Sequence, residues 1–532
     1  MKTYDYIIVG AGASGSVLAY RLSENAKNSV LLIEGGGPDR HPFIHMPKGI
    51  GKMMTNPAFL WLYATEPASC TNDKQEFWVR GKTLGGSSAI NGMMYVRGQA
   101  ADYDALAAVT SDDWDWKHIG AAYQALESHE LGAAETRGAS GPLHISMPTL
   151  HDALTDAAIQ AGVGLGMKRK EDVNDPADDE RIGYAPRTIY RGKRESAAVA
   201  FLKPIRQRSN LTIVTGVVID KLLLEAKRCV GVQAIKGGTV VSFNARREVL
   251  LCAGSMGSPA ILQRSGIGPA AHLHSLGIPL LQHSPQLGYN LREHRALVMQ
   301  WRTPDDVSQN RQYLGARLLA NTLQYALTRS GPMSAATYEA GGWFKTDARH
   351  ARPNAQILIA PYSFDFGGPS INVEKSGGMH LCAYILRPES SGSVLIRSAD
   401  PTQLPEIVPN HAAATSDREQ MIELLRYIRR YMAQAPLAGM VLEETRPGLR
   451  YESDNEILAA FAAMGNGAYH ASGSCSMGRD SDSVLDTRLR VRDIDALRVV
   501  DTSCFPFLVA GNTNGPAMAL AWRAADLIGE ER

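Results

Sequence analysis

The sequence predicts an α/β protein in which one domain is interrupted by a second domain. An apolar strand at residues 7–9 leads into a glycine-rich loop at residues 10–15, and the residues that follow have the periodicity of a helix. A second apolar strand, residues 30–33, ends in a single acid. Residues 301–460 mix helix-like and strand-like patterns between two glycine-rich parts of the chain, which indicates an insertion.

The glycine-rich loop has the spacing G-x-G-x-x-G in a strand–loop–helix context. Gly10 permits the tight turn, Gly12 lets a pyrophosphate approach the backbone, and Gly15 lets the helix pack closely on the strand. Ala13 and Ser14 lie where the helix begins, and its free N–H groups and positive partial charge favour phosphate oxygens. The pattern therefore predicts a Rossmann-like dinucleotide site.

Glu34 is the acid at the end of the second strand, nineteen residues after Gly15. A carboxylate at that distance hydrogen-bonds the ribose hydroxyls of a dinucleotide. It would repel a 2′-phosphate, so the sequence favours FAD or NAD over NADP.

Composition excludes several classes of protein. The 532 residues include 55 Lys and Arg and 54 Asp and Glu, a net charge of +1, so the chain has no general attraction to nucleic acid. The six cysteines include no C-x-x-C pair, which favours reduced, buried thiols over a disulfide framework. Neither an H-E-x-x-H motif nor a Cys/His set is present, so we predict no metal site.

Two segments bear on location. The N-terminus lacks a secretory apolar region, which predicts a cytoplasmic protein. Residues 502–522 carry no charge and are long enough to span a bilayer, but Asn512, Asn514 and Pro516 interrupt them. We therefore predict no transmembrane segment and leave peripheral membrane association open.

Two further glycine clusters, residues 81–92 and 254–268, suit a backbone that lies against a flat ligand and donates N–H groups to it. Arg80 adds positive charge for a pyrophosphate. In the second of these clusters, Ser258 is predicted as a helix N-cap, Pro259 as the first helical residue and Gly266 as the end of the helix.

The C-terminal part of the chain contains a candidate general base. His470 lies among small residues in the segment 468–478, a strand ends in Asp501, and a glycine- and asparagine-rich segment follows at residues 511–518. Histidine suits proton transfer because its ordinary pKa of ~6.5 is close to neutral pH.

Together, the three glycine clusters, Glu34 and the C-terminal segments resemble the signatures of the glucose–methanol–choline (GMC) oxidoreductases over essentially the whole chain. The resemblance implies FAD bound to a Rossmann-like domain and a second domain, built on an antiparallel sheet with helices, that covers the substrate side of the flavin. Some family members link FAD covalently through a histidine just before the position of Asn91. Because Ile90 stands there, we expect non-covalent FAD.

The resemblance also implies residue roles. The positions that it assigns to FAD, beyond the first loop and Glu34, are Arg80, Gly85, Ser88, Asn91, Gly92, Met93, Met94, Ile219, Gly254, Asp501, Asn514 and Pro516. Val218 is the alternative to Ile219, and Asp501 could equally cap the turn that follows it. His470 resembles the catalytic histidine, and Asn514 is chosen over Asn512 as the partner that orients the alcohol. Pro516 is expected in the first turn of a helix whose N-terminus stabilises the anionic reduced flavin.

The expected reaction is FAD-dependent oxidation of a primary alcohol to an aldehyde by hydride transfer to flavin N5. The electron acceptor is left open between oxygen, a quinone and a redox protein. Two alternatives remain: a flavin lyase or decarboxylase of the same fold, and a nucleotide-binding module without catalysis. Choline-oxidising members carry an acid for the trimethylammonium group, and Glu339 is a candidate for that role.

The predicted domains are both discontinuous. The FAD-binding domain takes residues 1–158, 205–300 and 466–532, and the substrate-binding domain takes residues 159–204 and 301–465.

Overall fold

The computed structural model describes residues 2–367 and 372–531. Its strands form a seven-stranded and an eight-stranded sheet, here called the first sheet and the second sheet. Among the described residues, no helix is long and apolar enough to cross a membrane.

The first sheet contains the strand–loop–helix unit that the glycine motif predicted. Its strand order is Leu211–Thr215, Val30–Glu34, Thr3–Val9, Thr239–Leu251, Arg228–Lys236 and Val217–Glu225, with Leu497–Val499 beside Thr239–Leu251. The first four strands and Leu497–Val499 pair in parallel, and the two strands at the far end pair antiparallel. The strands Thr3–Val9 and Val30–Glu34 are almost completely buried, as is typical of a parallel sheet covered on both faces.

The second sheet is antiparallel apart from one short edge pair. Its order is Glu443–Arg446, Arg295–Arg302, Gly378–Ile385, Ala355–Ala360, Ala340–Phe344, Arg181–Tyr184 and Lys168–Arg169, with Asn466–Gly467 beside Arg295–Arg302. This confirms the expected α/β class with an antiparallel second sheet. The domain boundaries themselves stay a prediction, and the strand Arg295–Arg302 straddles the boundary placed at residue 300.

The α-helices of the described residues are Ala13–Leu22, Pro42–His45, Ile50–Met53, Ala100–Val109, Trp116–Leu126, Ala153–Gly164, Gly254–Arg264, Ala270–Ser275, Gly315–Thr328, Thr415–Met432, Asp454–Met464 and Asn514–Glu530. The remaining strands form the short pairs Leu60–Ala64 with Phe77–Gly81, Glu127–His129 with Leu143–Ile145, Ile189–Tyr190 with Lys193–Arg194, Ile267–Gly268 with Gln282–His283, Phe364–Asp365 with Asn372–Val373, and Ser393–Leu395 with Glu406–Val408.

Strand alternation gives the second sheet two different faces. Leu297, Ile357 and Leu381 lie on one face and pack with the helices Ala153–Gly164 and Thr415–Met432 in an apolar core. Val298, Leu358 and Cys382 lie on the other face, in one row across three paired strands. That second face is turned toward the first sheet and forms part of the site described below.

Candidate active site

A cavity of about 780 Å³ lies between the glycine clusters and the second sheet. The predicted cofactor residues on its wall are Gly10, Gly12, Ala13, Ser14, Glu34, Arg80, Ser88, Asn91, Gly92, Met93, Met94, Ile219, Gly254, Asp501 and Asn514, and Val218 lies there too. Gly15, Gly85 and Pro516 are not on the wall. The Gly85 N–H donates to Ala11 O over 2.8 Å, and Pro516 lies in the first turn of the helix Asn514–Glu530, so both support neighbouring wall segments.

The glycines are required where two backbones meet. A Cβ atom on Gly15 would lie 1.9 Å from Gly10 O, so the helix could not approach the strand. Gly86, with φ +52°, brings the second glycine cluster so close to the first that its Cβ would lie 2.7 Å from Gly12 Cα. The first and second clusters therefore form one continuous backbone cradle.

Glu34 is buried at the end of the cradle. Its two oxygens accept the N–H groups of Ala11 and Gly36 over 3.0 Å and 2.8 Å. Burial raises the pKa of Glu34 to about 7, against the opposing effect of these hydrogen bonds.

The third cluster departs from the prediction at its helix start. The helix begins at Gly254, not at Ser258 or Pro259, and Pro259 lies inside it. A proline in a helix leaves the carbonyl four residues earlier without its N–H donor, and that carbonyl belongs to Ser255. Ser474 Oγ donates to Ser255 O over 2.6 Å, which replaces the lost donor and connects the helix to the segment of His470. The end at Gly266 is confirmed, because this residue follows the helix with φ +82°.

Asp501 holds that helix and the last strand together. Its Oδ2 accepts from Gly254 N and Ser258 Oγ, and its Oδ1 accepts from Ser503 N and Ser503 Oγ. The side chain therefore caps the turn after the strand, as one of the two predicted alternatives stated, while it also lies on the cavity wall.

A chain of hydrogen bonds determines the tautomer of His470. His294 Nε2 lies 2.9 Å from Leu386 O, and since a carbonyl can only accept, this nitrogen carries the proton. Burial lowers the pKa of His294 to about 4, so the ring is neutral and its Nδ1 is an acceptor. His470 Nδ1, 2.9 Å away, must then donate to it. His470 Nε2 is left as an unprotonated nitrogen.

Glu293 fixes the backbone around the two histidines. Its Oε1 accepts the N–H groups of His470 and His294 over 2.8 Å and 2.9 Å. Its Oε2 lies 3.8 Å from the Arg80 guanidinium, and burial raises the pKa of Glu293 to about 7. Tyr469, just before the base, has a left-handed backbone with φ +66°, which costs a non-glycine residue about 1–3 kcal/mol. The hydrogen bond from His470 N helps to hold this conformation.

The structure places Asn512, not Asn514, against the base, which corrects the predicted pairing. Asn512 Nδ2 lies 3.1 Å from His470 Nε2. Gln356 Nε2 approaches Asn512 Oδ1 at 3.4 Å, and Tyr384 OH donates to Gln356 Oε1 over 2.8 Å, which orients the amide. Asn514 is the first residue of the helix Asn514–Glu530 and also lines the cavity.

The environment of His470 keeps its ring neutral. The side chain is buried, and burial, followed by the neighbouring His294 and Arg80, lowers the pKa of His470 well below its ordinary value. Glu293, His294 and His470 also bring potential metal-ligand atoms within 4.8 Å of one another. In that group, however, both ring nitrogens of each histidine are engaged in the hydrogen bonds described above.

The wall opposite the cradle comes from the second sheet and from loops near it. It includes Val298, Leu358, Cys382, Tyr384, Tyr338 and Phe364. Arg446 and Phe366 also contribute, and Phe366 is 38% exposed, which places it toward solvent. Glu339 is not on this wall. It is buried with its Oε2 3.3 Å from Arg187 Nη1.

Sequence reasoning missed His294, Glu293, Gln356 and Tyr384, all of which surround the base. None of them belongs to a motif with a defined spacing, and each reaches the site because of strand pairing over long separations. Gln356, for example, pairs with Tyr384 in the second sheet.

The residues present fit FAD. The helices Ala13–Leu22 and Asn514–Glu530 both begin at the cavity without a side-chain cap, so their N–H groups can serve an anionic ligand. Thr337 Oγ1 is buried at the wall without a hydrogen-bond partner in the structure, which leaves a polar group for a ligand. Ile90 offers no nucleophilic atom for a covalent link at that position.

Comparisons with known proteins agree with this geometry. Two family profiles described as GMC oxidoreductase match residues 4–296 and 388–521. Oxygen-dependent choline dehydrogenases from Yersinia pseudotuberculosis and Paraburkholderia phymatum are 36% and 37% identical over 99% of this chain and 93% and 92% of their own lengths. Pyridoxine 4-oxidase from Mesorbium loti has a TM-score of 0.89 at 30% identity, with 99% of this chain and 100% of the other covered. Formate oxidase has a TM-score of 0.93 at 27% identity, with 100% and 99% covered.

The chain belongs to the GMC oxidoreductases. It is an FAD-dependent oxidoreductase that acts on alcohols, as the resemblance in the sequence predicted.

Proposed function

We propose that this chain oxidises a primary alcohol to an aldehyde, with His470 as the general base and Asn512 as the residue that orients the hydroxyl group. The observation that carries this proposal is the 3.1 Å distance between Asn512 Nδ2 and His470 Nε2, because both residues line the cavity and the hydrogen-bond chain through His294 leaves this nitrogen unprotonated. An alcohol oxygen bound between these two groups would donate its proton to Nε2 and accept a hydrogen bond from the amide.

When bound, FAD supplies the acceptor for the hydride that leaves the carbinol carbon. The chain's own groups do the rest. His470 Nε2 takes the hydroxyl proton, and the C–O bond becomes the aldehyde double bond. Burial keeps His470 neutral before this step, and His294 Nδ1 keeps its second nitrogen protonated throughout, so the reacting nitrogen is always the same one.

The test is anaerobic reduction of the flavin. The purified holoenzyme is mixed with a panel of primary alcohols in the absence of oxygen, and the visible band of oxidised flavin is followed. If the protein oxidises alcohols, at least one alcohol bleaches the flavin band and yields one aldehyde for each flavin reduced. A lyase or decarboxylase of the same fold, or a module that only binds nucleotide, would leave the band unchanged while dithionite still bleached it.

We also propose molecular oxygen as the electron acceptor, because the relatives are called oxygen-dependent dehydrogenases and oxidases. Oxygen is admitted to the reduced enzyme, and the reoxidation rate and peroxide yield are measured. Peroxide in equal amount to aldehyde supports oxygen. Reoxidation only by a quinone or an artificial dye contradicts this assignment.

We also propose that the protein is cytoplasmic.

The names of the relatives point to two chemically different alcohols. Choline carries a permanent positive charge next to its hydroxyl-bearing arm. Pyridoxine is an uncharged aromatic ring with a primary hydroxyl group at the oxidised position. The charge of the wall near His470 separates these two possibilities.

A further inference from the structure

The part of the cavity beside His470 is here called the alcohol chamber, and its wall is Val298, Tyr338, Leu358, Phe364, Cys382 and Tyr384, with Phe366 and Arg446 beside them. The charge of this chamber follows from the charged side chains on the whole cavity wall. Among the described residues, that wall includes two carboxylates, Glu34 and Asp501. The undescribed residues 1, 368–371 and 532 include no Asp or Glu.

Neither of these carboxylates is available to a ligand cation in the alcohol chamber. Glu34 lies at the end of a strand of the first sheet, where both oxygens accept backbone N–H groups. Asp501 accepts four hydrogen bonds from the helix start at Gly254 and from Ser503. Both therefore belong to the cofactor side of the cavity.

Asp365, between Phe364 and Phe366 in the chain, is exposed and outside the cavity wall. Two buried acids also come near the chamber but are not on its wall. Glu339 is buried and paired with Arg187 over 3.3 Å. Glu293 lies behind His470, where its Oε1 is taken by backbone N–H groups and its Oε2 faces Arg80 at 3.8 Å. Each buried acid already has a cation of the protein beside it.

The chamber wall instead carries a positive charge of its own. Arg446 donates from Nε to Val298 O over 3.0 Å and from Nη2 to Met464 O over 2.9 Å, which fixes the guanidinium in place. The same guanidinium lies 4.3 Å from the centre of the Phe366 ring. The Arg446 guanidinium therefore already lies over the Phe366 ring, which could otherwise attract the cation of a ligand.

Other aromatic rings of the chamber are also packed against protein groups. Tyr384 stacks on His294 with ring centres 4.7 Å apart. Phe364 packs on His380 at 4.7 Å. These rings form an apolar wall whose faces are partly covered, rather than an open cage for an ammonium group.

We infer that the alcohol chamber prefers an uncharged primary alcohol with an aromatic or branched apolar tail over alcohols with a quaternary ammonium group. This inference rests on the proposed function, because it specifies the substrate class of the same site. A quaternary ammonium group cannot donate a hydrogen bond, so burying it without a carboxylate and beside Arg446 is unfavourable. An uncharged tail of the same shape gains apolar contact without that cost.

The test compares two alcohols of the same shape and different charge. Choline and 3,3-dimethylbutan-1-ol differ in a nitrogen in place of a carbon. Each is mixed anaerobically with the holoenzyme, with benzyl alcohol as a third alcohol, and the concentration dependence of flavin reduction gives a dissociation constant and a limiting rate. Binding of the pair is also measured by calorimetry.

We expect 3,3-dimethylbutan-1-ol to bind at least about tenfold more tightly than choline and to have the larger ratio of limiting rate to dissociation constant. Equal or tighter binding of choline would overturn the inference and leave the proposed function intact. If no alcohol bleached the flavin, the proposed function would fail, and the two dissociation constants from calorimetry would still decide the charge preference of the chamber.

Variants identify the residue responsible. Arg446→Met removes the charge but keeps a long side chain, and we expect it to reduce the preference for the uncharged alcohol by at least about threefold. Arg450→Met is the matched control, because Arg450 is exposed, outside the cavity wall and bonded to Tyr451 OH. It should leave the preference unchanged. An equal effect of both substitutions would mean that overall charge, not the chamber wall, sets the preference.

Discussion

The two walls of the cavity are built in different ways. On the cofactor side, the wall comes largely from short continuous segments that are rich in glycine, such as residues 10–15 and 81–92. On the substrate side, single side chains such as Val298, Leu358 and Cys382 meet because three strands pair in register. The cofactor wall can therefore be recognised in a sequence and the substrate wall cannot, because only the first has its chemistry in consecutive residues.

The two walls also differ in the amino-acid substitutions that they tolerate. The backbone cradle depends on glycines such as Gly15 and Gly86, where an added Cβ atom would overlap the neighbouring backbone. A wall of side chains changes its preference with each substitution while the fold remains. Variants on each wall test this contrast.

Substitution of His470 by Ala should have the largest effect on chemistry. We expect FAD to stay bound and anaerobic reduction by an alcohol to slow by a factor of about 10²–10⁴, because the base is lost while the cradle is untouched. Stopped-flow absorbance measures the rate. His274→Ala, at an exposed histidine outside the cavity wall, should reduce at the original rate. A near-normal rate in His470→Ala would show that another group takes the proton.

Substitution of Gly86 by Ala should damage the cofactor wall instead. The added Cβ would meet Gly12 Cα at 2.7 Å, and φ of +52° is strained for alanine, so we expect about 10- to 100-fold weaker binding of FAD. The flavin-to-protein absorbance ratio after dialysis measures this. Gly37→Ala is the control, since nothing lies within 4 Å of its Cβ position. Equal retention of FAD in both variants would show that the two glycine clusters need not touch.

Substitution of His294 should act through His470. We expect His294→Leu to slow reduction by about 10- to 100-fold, because His470 Nδ1 loses its acceptor and either nitrogen can then carry the proton. His294→Gln should recover much of the rate, since an amide can accept from His470 and donate to Leu386 O. The pH dependence of reduction should shift in the Leu variant and not in the Gln variant. If both variants had the same rate and pH profile, the role of His294 would be packing alone.

The two asparagines should differ by a smaller amount. We expect Asn512→Ala to slow reduction about tenfold more than Asn514→Ala, because only Asn512 contacts the base. The concentration dependence of stopped-flow reduction separates weaker alcohol binding from a slower limiting rate. A larger effect at Asn514 would restore the pairing that the sequence predicted.

Particular residues show which parts of the site and the fold could be predicted from the sequence. The loop at Gly10, Glu34 at the end of its strand and His470 were all found from local pattern together with the family resemblance. The structure places Asn512 rather than Asn514 against the base, and the sequence alone could not show this because both asparagines lie in one polar segment. The start of the helix at Gly254 was missed because Ser474, more than 200 residues away, compensates for Pro259. Arg446 had no local signal, since its position depends on pairing with the strand Arg295–Arg302.

We propose that buried His470 is neutral and receives the alcohol proton on Nε2. The direct measurement is the limiting rate of anaerobic flavin reduction between pH 5 and pH 8.5. Burial, His294 and Arg80 lower the pKa of His470 well below 6.5. The base should therefore be unprotonated at every pH above about 6.5. Glu293, with its pKa raised to about 7, titrates inside this range, so Glu293→Gln is measured in parallel. We predict a rate in Glu293→Gln that is constant above about pH 6.5 and falls only at lower pH. A rate that still rises tenfold per pH unit between pH 7 and pH 8 would contradict it.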